Sequence, residues 1–310
     1  MASTTESAIR GEFRRPDSVF RAWVSADGSS GYPAAPNRYH LYVSYACPWA
    51  HRTMIVRMLK GLERVISMSV VDPIRDERGW RFTEGPGHGL DEVNGFGFLS
   101  EAYLATDPQY ADRVSVPVLW DRETGRIVSN ESSEIIVMLN EAFDACGGSS
   151  LDLYPSELRA EIDPLNDQIY DTVNDGVYRN GFAKTQAAYE AAFDRLFATL
   201  DELDARLAGR RYLVGSEPTL ADWRLFPTLV RFDAVYYCHF RCNRQRLADY
   251  AHLPGYLRDL YAVPGVAATV SLDHIKRHYF ESHRALNPVG IVPKGPELDL
   301  TSPHGREHLS

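Results

Sequence analysis

One cysteine of this chain stands where thiol chemistry is done, in the segment Ser44-Tyr45-Ala46-Cys47-Pro48-Trp49-Ala50-His51-Arg52. Tyr39 to Val43 alternates in β-prone residues, and Ala50 to Leu59 carries Met54, Ile55, Met58 and Leu59 at helical spacing. Proline suits the first helical position, where its missing N–H would have had no partner. Cys47 is therefore expected at the N-cap. There, free backbone N–H groups and the positive end of the helix dipole favour a thiolate. The ordinary fate of a cysteine is a small buried core residue, but a strand–Cys–Pro–helix junction points to a nucleophile instead. Redox pairs of this type read Cys-x-x-Cys. Here the second position is Ala50, so no local disulfide can close, and a mixed disulfide with a small external thiol is the alternative.

Two further segments suit the recognition of a thiol peptide. Val116-Pro117 opens a strand expected to be central, where proline is out of place. A cis bond at Pro117 would account for it and turn the backbone of Val116 sideways, while a trans proline at a strand edge is the plain alternative. Glu131 and Ser132 then begin a helix marked by Ile135, Ile136, Leu139 and Phe143. A carboxylate for an ammonium, beside a hydroxyl and free N–H groups for a carboxylate, suits the α-amino-acid end of such a peptide. Taken alone, the pair is an ordinary helix cap.

The elements that must position these residues read as follows. Residues 1–38 form a polar extended arm. Residues 39–71 read strand–helix–strand, the second strand being Val65 to Val71. From Asp72 to Arg113 a glycine-rich stretch reads as one long loop. Strands follow from Val114 and from Arg126, joined by a turn over Asp121 to Gly125. The linker Gly147-Gly148-Ser149-Ser150 leads into a helical region with one apolar stripe from Tyr189 to Leu207. Thr219-Leu220-Ala221-Asp222 reads as a structural capping box before Trp223 and Phe226. Residues after about 284 read as a surface tail. The expected division is thus an N-terminal extension (1–38), a thioredoxin-like domain (39–148), an all-helical domain (149–284) and a tail (285–310).

Composition sets bounds on function. With 310 residues, 44% hydrophobic and 24% charged, the chain has room for two globular domains. Its formal charge of −9 argues against nucleic acid as a partner. No apolar run is long enough to span a membrane. Four cysteines, Cys47, Cys146, Cys238 and Cys242, are too few for a disulfide scaffold and fit a reducing cytoplasm. Cys238, His239 and Cys242 lack the further ligands of a zinc site, and His274 and His278 lack the glutamate of a metalloprotease helix. No metal is expected, and no Gly-x-Gly-x-x-Gly motif follows a strand to hold a nucleotide cofactor.

With these segments in view, the chain closely resembles the Xi-class glutathione transferases, the glutathionyl-hydroquinone reductases. The resemblance rests on the Ser44–Arg52 segment, Gly79-Trp80, Arg113 to Asp121, Asn130 to Glu134, Gly176 to Arg179, Ala221 to Phe226, Asp273 to Tyr279 and Asn287 to Pro293. It spans about residues 10–296. Asp112 stands where the family usually has Gly, Ser115 replaces a usual Thr, and Phe82 to Gly97 matches only loosely. The resemblance implies the architecture of a glutathione transferase: an α/β thioredoxin-like N-terminal domain, an all-α C-terminal domain and a homodimer. Cys47 would be the nucleophile and Tyr178 the proton donor and acceptor. Tyr236 and Tyr279 would adjust the Cys47 thiolate. Trp80 would lie over glutathione, which Arg113, Val114, Ser115, Val116, Glu131 and Ser132 would hold. Glutathione would be a co-substrate, aromatic hydroquinone conjugates the other partner, and no bound cofactor is required. The alternatives are a broader thiol transferase or conjugating, omega-like transferase, and a non-catalytic thiol-binding module.

Overall fold

The computed structural model describes residues 9–309; the first eight residues of the expected arm and the last residue of the tail lie outside them. A four-stranded sheet forms in the spatial order β4-β3-β5-β6, with β3 (Tyr39–Val43), β4 (Ser67–Val70), β5 (Val118–Asp121) and β6 (Arg126–Ser129). β3 runs parallel to β4 and antiparallel to β5, which is antiparallel to β6. Every residue of β3 is buried, as expected of an interior strand covered on both faces. Helix α1 (Pro48–Leu59) makes the parallel crossover from β3 to β4, and α3 (Ser132–Glu141) packs beside it.

Several expectations need correction. The second strand is shorter than Val65–Val71, because Val65 and Ile66 close a turn on Leu62. The strand expected from Val114 begins at Val118, after a cis Val116–Pro117 peptide. The long loop contains a helix, α2 (Leu99–Thr106). Its start is fixed by Glu101, whose carboxylate accepts the backbone N–H groups of Gly97 (2.9 Å) and Phe98 (2.8 Å). The arm is not wholly extended. It includes a short parallel ribbon, β1 (Val24–Ser25) with β2 (Tyr32–Pro33).

The remainder is helical: α4 (Arg159–Ile169), α5 (Gly176–Phe182), α6 (Gln186–Arg206), α7 (Leu220–Arg231), α8 (Tyr237–His239), α9 (Leu253–Ala262) and α10 (Leu272–Arg277). Helix α7 starts at the capping box read from the sequence. The buried Asp222 carboxylate accepts from Thr219 N (2.8 Å), Leu213 N (2.9 Å) and the Tyr256 hydroxyl (2.7 Å). Widened π turns occur at Tyr170–Asn174, Phe232–Tyr236 and His278–Ser282. Such turns occur often at functional sites, and these deliver Tyr170, Tyr236, His278 and Tyr279. The tail is anchored through the buried Arg306, whose guanidinium donates to the carbonyls of Leu207 (3.1 Å) and Arg211 (3.0 Å).

Candidate active site

Cys47 is the N-cap of α1, with extended backbone (φ −81°, ψ 120°) and Pro48 as the first helical residue. The turn before it is built by Ser44, whose side-chain oxygen accepts Ala46 N (3.2 Å) and whose carbonyl accepts Cys47 N (3.1 Å). From the helical region, buried Arg231 clamps the same turn. Its guanidinium donates to the carbonyls of Tyr45 (2.7 Å) and Ala46 (3.0 Å) and to His51 Nδ1 (3.0 Å). His51 therefore carries its proton on Nε2, which donates to Thr269 Oγ1 at 2.8 Å. Burial first, then Arg231, pushes the His51 pKa well down, so the ring stays neutral. Arg52, also buried, donates to Asn174 Oδ1 (2.7 Å) and reaches Ser132 Oγ at 3.5 Å.

Opposite Cys47 lies the cis Val116–Pro117 bond, and the Cys47 thiol points at the Val116 carbonyl, 3.5 Å away. This segment is held from α2. The Tyr103 hydroxyl donates to Ser115 O (2.7 Å) and accepts from Ser115 N (3.1 Å) and Asn130 Nδ2 (3.1 Å). Tyr103 thereby positions both the Arg113–Val116 segment and the start of α3. Glu131 is the N-cap of α3. Its Oε1 accepts Ser133 N (3.0 Å) and its Oε2 accepts the Ser18 hydroxyl (2.9 Å). Burial works against the charge of Glu131, but these donors hold its carboxyl below the usual range.

The third wall is aromatic. The Tyr178 hydroxyl lies 2.5 Å from that of Tyr279, which lies 2.9 Å from that of Tyr236. Burial raises the pKa of all three, so they remain protonated phenols. For Tyr178 the opposing influence is Arg15, whose guanidinium sits 4.5 Å from the Tyr178 ring and 4.7 Å from that of Trp49. Arg15 belongs to the arm and is tied to Asp175 at 2.7 Å.

A cavity of about 710 Å³ opens between these walls, a size suited to a small ligand. It is lined by Cys47, Trp80, Arg113, Ser115, Val116, Pro117, Glu131, Ser132, Tyr178 and Tyr279. Two residues named from the sequence do not line it. Val114 is half-buried beside the cavity, and Tyr236 is fully buried beneath it, behind Tyr279 and Tyr178. The sequence reading missed Arg15, Trp49, Tyr103, Arg231 and His278. Leu99, Ala102 and Tyr103 at helical spacing, with Glu101 near the helix start, were a legible signal for α2. Arg15 and Arg231 carry no local signal, because their partners are distant in sequence. Among the described residues no cluster of three or more His, Cys, Asp or Glu is placed to hold a metal ion, and no helix is long and apolar enough to cross a membrane.

A thioredoxin-like sheet with an N-cap cysteine, followed by a helical domain that closes the cavity, defines the class as a glutathione transferase. The family described as Glutathione S-transferase, N-terminal domain matches residues 46–142, and that described as Glutathione S-transferase, C-terminal domain matches residues 186–259. The chain is 53% identical over 304 residues to Glutathionyl-hydroquinone reductase YqjG of Escherichia coli (strain K12), covering 96% of this chain and 93% of that protein. It is 51% identical over 290 residues to Glutathionyl-hydroquinone reductase PcpF of Sphingobium chlorophenolicum, covering 94% and 91%. The glutathione-bound structure of YqjG superposes with a TM-score of 0.92 at 52% identity, covering 94% of this chain and 96% of that one. The Xi glutathione transferase from Phanerochaete chrysosporium superposes at 0.90 with 49% identity, covering 94% and 99%. The chain belongs to the Xi-class glutathione transferases, the family of the glutathionyl-hydroquinone reductases.

Proposed function

We propose that the protein removes glutathione from glutathionyl-hydroquinones, with Cys47 as nucleophile and Tyr178 as proton donor. The observation that carries this reading is that a cysteine thiol and a half-buried, protonated tyrosine open onto one cavity. A conjugating transferase activates the thiol of glutathione itself, and a protein thiolate at that position would compete for the same space.

In the first step the Cys47 thiolate attacks the sulfur of the conjugate. The sulfur–sulfur bond forms as the sulfur–carbon bond breaks, and its electron pair leaves with the ring carbon. A proton must reach that carbon, and the Tyr178 hydroxyl supplies it. Tyr279 and Tyr236 line up behind Tyr178 to share the charge left on its oxygen. The products are the free hydroquinone and a Cys47–glutathione disulfide. In the second step the thiolate of another glutathione attacks that disulfide, releasing oxidised glutathione and free Cys47. The two electrons that reduce the ring carbon thus come from two thiols, and no other reductant is needed.

Glutathione is assigned to the groove between Cys47 and α3. The turned Val116 backbone faces its cysteine, Glu131 its ammonium, and Ser132 with the α3 N-terminus its γ-glutamyl carboxylate. Arg113 takes the second carboxylate and Trp80 covers the peptide. The test is chromatography of glutathionyl-menadiol incubated with excess glutathione. Native protein yields menadiol and oxidised glutathione, and Cys47→Ala yields neither. An untouched conjugate with native protein refutes the reading.

A further inference from the structure

The cavity wall carries an arginine, Arg75, that the glutathione assignment leaves unused. The loop that carries Arg75 is pinned to the helical region. Arg75 N donates to Ser282 Oγ (2.9 Å), and His278 Nδ1 donates to Pro73 O (2.7 Å). The neighbouring arginines take the local carboxylates, Arg78 with Asp76 (2.7 Å) and Arg81 with Asp72 (3.0 Å). The Arg75 side chain has no ion-pair or hydrogen-bond partner among the described residues, and its Nε is buried and unpaired. The guanidinium instead lies 5.2 Å from the centre of the Trp80 ring, which also stacks on His278 at 4.9 Å and 20°. The residue is half-buried, and its orphaned Nε lacks the hydrogen bond that a buried donor needs unless a ligand supplies it. Burial, and after it the charge of Arg113, works against its protonation, while Cys47 favours it, which puts the group within electrostatic reach of the reacting sulfur.

The proposed function provides for glutathione without Arg75. Its ammonium goes to Glu131, one carboxylate to Ser132 and α3, the other to Arg113. We infer that Arg75 recognises a carboxylate on the aromatic half of the conjugate, so that the preferred substrates are glutathionyl-hydroquinones bearing an acidic ring substituent. The inference rests on the deglutathionylating reading. An arginine fork matches a carboxylate with two parallel hydrogen bonds, and the Trp80 ring lies against this fork.

The test compares the glutathione conjugate of a carboxylated hydroquinone with that of its methyl ester, in native protein, Arg75→Met and Arg75→Lys. Native protein is expected to favour the acid in kcat/KM by about tenfold or more. Arg75→Met abolishes the preference mainly through KM, and Arg75→Lys restores part of it. Thermal unfolding verifies that the variants are folded. Turnover of both conjugates by native protein without discrimination overturns this inference and leaves the deglutathionylating reading intact. An equal loss on acid and ester in Arg75→Met, together with weaker binding of free glutathione or slower alkylation of Cys47 by iodoacetamide, also overturns it. Turnover of neither conjugate by native protein removes both readings.

Discussion

Tyr178 and Tyr279 are 101 residues apart in the chain, yet their hydroxyls meet at 2.5 Å on the wall of the cavity that Cys47 enters. The contact joins α5 to the π turn at His278–Ser282. In the proposed reaction this phenol is the group that protonates the ring carbon, and Tyr279 and Tyr236 are the hydroxyls behind it that would stabilise its phenolate.

Thiol exchange alone needs no proton on a ring carbon. Tyr178→Phe is therefore expected to lose about 100-fold or more in turnover of glutathionyl-menadiol, the usual range for removing a general acid. The same variant keeps most of its rate with a small mixed disulfide of glutathione, where the leaving group is a thiolate. Parallel assays on the two substrates check this. Equal losses on both would assign Tyr178 to glutathione binding.

Arg231 ties the helical region to the turn before Cys47. Arg231→Met leaves the carbonyls of Tyr45 and Ala46 and the His51 ring without their donor. Each buried acceptor left without its donor costs about 1–3 kcal/mol. Urea unfolding should show that loss, and turnover should fall as the Cys47 turn loosens. A variant of native stability would contradict the clamp.

Asp222 gives a test of structure without chemistry. Asp222→Ala strips acceptors from two backbone N–H groups and the Tyr256 hydroxyl. Loss of the cap and the buried groups left unpaired should cost about 3 kcal/mol or more. Per folded molecule, activity should stay close to native, as measured after correcting for the folded fraction.

Acid should weaken the fold through its buried histidines. Burial pushes His278 down to about 3 and His40 down to about 4, from an ordinary value of 6.5. The unfolded chain then binds more protons than the folded one at every pH from about 6.5 down to those values. Stability rises with pH across that window, so it is fully present above pH 6.5 and lost as pH falls. Each such histidine removes about 1.4 kcal/mol per pH unit. Urea unfolding at pH 7 and pH 5 should show the loss, and His40→Gln should reduce the slope by one histidine's share. A flat profile would contradict the neutral, buried rings.

The sequence made legible what is written locally. The alternation of Tyr39 to Val43, Pro48 at the start of α1, the turn at Asp121 to Gly125 and the Thr219–Asp222 cap all lie within a few residues of what they determine. The π turns were not legible, because one widened turn shifts the apolar spacing by a single residue, too little for a periodicity read over several turns to register. Helix α2 was hidden by the glycines around it, although Glu101 marked its start. Arg15 and Arg231 could not be found locally, since Asp175 and the Tyr45–Ala46 carbonyls come to them only through folding. Cys47 and the start of α3 were found from motifs, whereas the tyrosine chain rested on resemblance to the family.

The proposed reaction depends above all on the disulfide that Cys47 makes with glutathione. Native protein, freed of thiols, should be mixed with one equivalent of glutathionyl-menadiol and no free glutathione, and its intact mass measured alongside released menadiol. The expected result is one glutathione added to the protein through Cys47, removed by a reducing agent, with menadiol released in equal amount, and neither event in Cys47→Ala. Menadiol release without a glutathione adduct on Cys47, or release that persists in Cys47→Ala, would contradict it.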